Sequence, residues 1–130
     1  MSMPLECHDP NLYVGWVGFL LGAVSGMLAG LFFYRVDWIG GYGSWRRRMT
    51  RLGHVSFFGL GILNVLFALS VRAAGLERVE VASWALIVGA ATMPAVCYLS
   101  AWRPVARHLF FVPVLGVLIG LGAFLWRLLA

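Results

Sequence analysis

The sequence predicts an all-α integral membrane protein of four transmembrane helices, arranged as an up-down bundle with both termini on the non-cytoplasmic side. Three observations carry this. Of the 130 residues, 62% are hydrophobic and only 12% charged, where a soluble domain has roughly half and a quarter. Mean hydropathy is +0.88. The few charges fall into short clusters that cut the chain into four apolar runs, each long enough to cross the ~30 Å hydrocarbon layer as a helix. No stretch is left over for a soluble domain, so the whole chain, 1–130, reads as one membrane domain.

The first helix is expected at about 11–34, between Asp9 and Arg35. Gly18, Gly22, Gly26 and Gly30 recur every four residues within it, which on a helix makes a smooth ridge where another backbone can approach closely. A flat cofactor could also use such a face. Residues Arg35 to Arg51, RVDWIGGYGSWRRRMTR, read as a loop on the membrane surface. Three glycines interrupt it, Trp38, Tyr42 and Trp45 suit the headgroup layer, and Arg46, Arg47, Arg48 and Arg51 are available to lipid or an acidic partner.

The second helix, 52–71, is a run of twenty residues without a formal charge before Arg72. After the short connection RAAGLERVE comes the third, 81–102, with Pro94 near its middle as a kink. The tight turn RPVAR leads into the fourth, 108–126, where Gly116 and Gly120 again permit close packing. The connections around 35–51 and 103–107 hold Arg35, Arg46, Arg47, Arg48, Arg51, Arg103 and Arg107, against Arg72, Arg78 and Arg127 on the other side. The positive-inside rule places the richer set in the cytoplasm. The N-terminus has no basic region ahead of the first apolar run, so that run is expected to stay as a helix rather than be cleaved. A bacterial cytoplasmic (inner) membrane is the expected location.

The net charge of +5 does not point to nucleic acid, because the arginines sit in connections between apolar runs, where they orient spans and meet lipid. All ten basic residues are arginine, and nothing is built on that. Cys7 and Cys97 stand far apart and form no thiol pair. No Asp or Glu lies inside a span, which argues against a proton-coupled exporter. No nucleophile triad, phosphate loop or zinc spacing is present. The adjacent Cys7, His8 and Asp9 cannot easily face one ion, and Met93 beside Pro94 reads as packing rather than an axial ligand.

The candidate chemistry lies with two histidines. His54 and His108 fall near the arginine-rich ends of the second and fourth helices, at similar depth, which is how two imidazoles hold a b-type haem iron. His54, Phe57, Gly61 and Asn64 share one face of the second helix, which suits a haem or quinone pocket. Against this, both histidines adjoin arginines at the rim, where histidine serves equally well as a flanking residue. Asn64 is expected to hydrogen-bond to another helix. The leading functional expectation is a small subunit of a larger respiratory or photosynthetic complex, structural or electron-relaying, in contact with lipids, other membrane subunits and a quinone, and not an enzyme by itself. A homo-oligomeric transporter or channel is the alternative, and an assembly or scaffold protein without ligand a third.

Overall fold

The computed structural model describes residues 9–130, so Cys7 and His8 lie outside the described residues. The described residues are helical and contain no strand. Helix α1 is Asp9–Gly30, α2 Trp45–Ala74, α3 Glu80–Trp102 and α4 Phe111–Leu129, with short 3₁₀ segments at Trp38–Gly40 and Pro104–Phe110. All four long helices are apolar enough to cross a membrane.

The helices pack in chain order, α1 on α2, α2 on α3 and α3 on α4, and α1 also touches α3. Helices α1 and α4 do not form a packed pair. The bundle is therefore open, with α2 and α3 as its inner pair. In their most apolar stretches α2 and α3 are 33% and 39% buried, whereas α1 and α4 are each 17% buried. A small apolar core forms where Phe67 and Val71 of α2 meet Val79, Ala82 and Leu86, with Phe124 of α4 against it. The Phe67 and Phe124 rings meet edge to face at 5.2 Å, a favoured aromatic geometry.

Several boundaries differ from those expected. Helix α1 gives way to turns after Gly30 instead of continuing to 34. More consequentially, α2 begins at Trp45, so Arg46, Arg47, Arg48 and Arg51 belong to the helix and not to a surface loop. The helix starts early because Ser44 caps it: its Oγ accepts from the Arg47 amide at 3.2 Å and donates to the Ile39 carbonyl at 2.8 Å. A charge-based boundary misses this, since arginine is a good helix former. At the other end, Gly75 adopts φ 61°. Its amide and that of Leu76 close back on Arg72 and Val71 carbonyls, the hydrogen-bond pattern of a Schellman stop. Leu76 then joins the core. The fourth helix begins at Phe111, because the turn opened by Pro104 runs on as 3₁₀ structure through Phe110 and takes His108 with it.

Candidate functional site

Three places in this fold gather polar or open surface: a knot of amides between helices, a caged arginine at the arginine-rich end, and a groove between α1 and α3.

The amide knot joins three helices. Asn11, in the first turns of α1, donates from Nδ2 to Oδ1 of Asn64 at 2.8 Å and to the Ser83 carbonyl at 3.3 Å. The Ser83 hydroxyl donates to Oδ1 of Asn11. Asn64 Nδ2 donates to the Leu60 carbonyl within its own helix at 2.8 Å and to the Leu86 carbonyl of α3 at 3.4 Å. Asn11, Asn64 and Ser83 are all buried. Asn64 is thus buried and held by protein groups on both its amide nitrogen and its oxygen. Its principal partner, Asn11, was missed in the sequence because it stands at the very edge of the first apolar run, next to Asp9 and Pro10.

The glycine ridge of α1 faces α2. A methyl group on Gly18 would stand 3.1 Å from the Phe57 carbonyl oxygen, one on Gly22 would press on the Phe58 ring, and one on Gly26 would press on the His54 ring. Gly30 meets nothing within 4 Å, and the ridge instead extends the other way to Gly15, whose methyl would stand 2.8 Å from the Gly61 carbonyl. On the far side Gly116 abuts the backbone of Ala85 and Gly89, and Gly120 abuts Leu86.

That packing decides where His54 points. Its ring lies against Gly26 and stands edge to face with Phe58 at 5.4 Å. Ser25 Oγ lies 3.0 Å from the Gly22 carbonyl and 3.1 Å from His54 Nδ1, so it ties the imidazole to α1. His108 is exposed on the 3₁₀ segment that packs on α3 and α4. The structure turns His54 to α1 and leaves His108 on the segment that packs on α3 and α4. Among the described residues no group of three or more His, Cys, Asp or Glu side chains gathers to hold a metal.

The caged arginine is Arg47, fully buried in a row of otherwise exposed arginines. Its guanidinium donates to the carbonyls of Phe33, Arg35 and Val36 at 3.2 to 3.4 Å. It lies 3.9 Å from the Tyr42 ring centroid, 5.2 Å from Phe33 and 5.6 Å from Trp38. The turns after α1 leave carbonyls without helical donors, and Arg47 supplies donors to them while its charge is shared by three aromatic faces. It is therefore an internal clamp, and the expectation that it contacts lipid or a partner is corrected. Arg46, Arg48 and Arg51 remain exposed.

The groove has a volume of about 450 Å³. Tyr13, Val17, Gly18 and Leu21 form one wall, Phe57 and Gly61 of α2 line its base, and Ile87, Ala90 and Ala91 of α3 form the other wall. Phe57 and Gly61, from the face singled out in the sequence, do come together here; His54 and Asn64 are not part of the lining. The surface is almost wholly apolar, with the Tyr13 phenol its one polar side chain.

An all-helical chain whose four helices can each span a bilayer is the class that fold and surface define; the apolar helices suggest an integral membrane protein in contact with lipid. No protein family, curated protein or solved structure matches the chain.

Proposed function

We propose that this chain is a small, non-catalytic membrane subunit of a larger complex, respiratory or photosynthetic in kind. It sits in a bacterial inner membrane with its arginine-rich end in the cytoplasm. Its groove receives a membrane-spanning helix of a partner subunit. The observation that carries this reading is the open bundle. Helices α1 and α4 leave their outer faces unpaired, and the groove between α1 and α3 presents Gly18, Gly61, Ala90 and Ala91, the small residues that admit a second helix backbone. In an electron-relay form of the same reading the groove takes a quinone headgroup beside Phe57. Separate placement of His54 and His108 weighs against a haem b held by that pair.

The test is a photo-crosslinking side chain placed at Ala91, which lines the groove, or at Ile62, which is exposed on α2 outside it. In native membranes, Ala91 should crosslink to one membrane-spanning polypeptide of different sequence and Ile62 should not. A crosslink from Ala91 to a second copy would favour the homo-oligomeric transporter or channel. Labelling of lipid alone would overturn the partner helix. A reduced-minus-oxidised haem b band in the purified protein, lost in both His54→Ala and His108→Ala, would restore the relay with that pair as ligands.

A further inference from the structure

The arginine-rich end carries seven arginines, Arg35, Arg46, Arg47, Arg48, Arg51, Arg103 and Arg107, and among the described residues one acidic residue, Asp37; Glu77 and Glu80 lie at the other end. These arginines are not equivalent. Arg47 is enclosed in its cage, with both terminal nitrogens on carbonyls. Arg51 donates to the Tyr42 carbonyl at 3.3 Å and Arg107 to the Pro104 carbonyl at 3.5 Å.

Arg46 is held differently. Its guanidinium carbon lies 5.1 Å from the Trp102 ring centroid, yet none of its guanidinium N–H groups hydrogen-bonds to a described residue. Its position is fixed by the neighbouring bond from Trp45 Nε1 to the Ser100 carbonyl at 2.7 Å, which bolts the first turn of α2 to the last turn of α3. Arg103, exposed and with its guanidinium likewise on no described residue, directly follows Trp102. A guanidinium held on an indole keeps N–H donors free for the oxygens of a phosphate.

The surroundings identify the source of that phosphate. Trp102 is 65% exposed, and Leu99 and Val105, three residues before and after it, are 46% and 76% exposed. An anion free in water has no use for this apolar margin, whereas a phosphate attached to acyl chains covers it. We propose that Arg46, held on the Trp102 ring, and Arg103, next to Trp102 in the chain, bind the phosphate of an anionic membrane phospholipid whose chains run along Leu99 and Trp102. This rests on the membrane reading of the helices and not on the partner helix, so its failure would leave the groove untouched.

Native mass spectrometry of the full chain in neutral detergent tests it, with phosphatidylglycerol, phosphatidylcholine and inorganic phosphate as probes. Phosphatidylglycerol should be retained in preference to phosphatidylcholine, and inorganic phosphate should not be retained. A charge-assisted hydrogen bond lost with Arg46→Gln or Arg103→Gln should weaken retention about tenfold. Arg46→Lys should fall between, and Arg48→Gln should match the parent. Equal retention of the two lipids would overturn the proposal. So would equal weakening by Arg48→Gln and Arg46→Gln, which would mean diffuse charge, or tight retention of inorganic phosphate, which would mean a soluble-anion site. If Arg46→Gln does not fold, the preference of the unaltered protein between the two lipids decides.

Discussion

The amide knot near the start of α1 and the arginine cage beyond its end solve the same problem with different chemistry. Each satisfies buried polar groups by crossing between elements of the chain. The knot uses neutral groups only, Asn11, Asn64 and Ser83, and lies within apolar helices. The cage uses a full charge, but one spread over a planar ion, paired with three carbonyls and faced by three aromatic rings. Apolar surroundings tolerate an amide that has partners and penalise a charge steeply, so charge is kept to the rim. Depth, more than the need for a cross-link, selects the side chain.

The largest expected effect is at the cage. Arg47→Ala leaves the Phe33 and Val36 carbonyls without a donor, while the Arg35 carbonyl keeps the Trp38 amide, opens a void between aromatic rings, and should cost about 3 kcal/mol or more. Thermal unfolding in detergent should show it, with Trp38 emission shifted as its environment opens. Arg47→Lys keeps the charge but loses the planar fork and should recover only part of the loss. Full recovery by lysine would mean that charge alone holds the loop, and the comparison would collapse into simple electrostatics.

Next comes the glycine seam between α1 and α2. Gly61→Ala would press a methyl on the Gly15 carbonyl at 3.0 Å and on Phe19, and should cost about 1–3 kcal/mol. Asn11→Leu removes the hub of the amide knot and should cost about 0.6–2 kcal/mol, less than Arg47→Ala in the same assay. The reverse order would show that the buried amides dominate. Smallest is Gly30→Ala, which meets open space and should change stability by no more than about 0.5 kcal/mol; a larger loss would show that the ridge continues against something beyond this chain.

The four long apolar helices were legible in the sequence because hydrocarbon thickness and helical rise set a length that charges punctuate, as between Arg51 and Arg72. The start of α2 was not, because that length says nothing of a helix that continues past the apolar layer. Ser44 ahead of the arginines was the available signal. The need of Asn64 for a partner on another helix was legible from its position in mid-run; the identity of Asn11 as that partner depends on how α1 crosses α2, which is tertiary. Arg46, Arg47 and Arg48 look alike in a string of letters. Only helical phase and the fold of residues 31–44 send the middle one inward and leave its neighbours exposed.

The length of α2 has one more consequence. Thirty residues of helix extend about 45 Å, while the charge-free stretch between Arg51 and Arg72 covers about 30 Å, the thickness of the hydrocarbon layer. Inserted in a membrane as proposed above, the helix would act as a gauge with a stop at each end. A shift in one direction draws Arg51 toward hydrocarbon, and a shift in the other draws in Arg72. Because α1 and α3 are joined to α2 by the amide knot, the height of the whole molecule is set by this one helix. A thicker or thinner membrane must be met by the tilt of the bundle or by the lipid around it, not by vertical slippage.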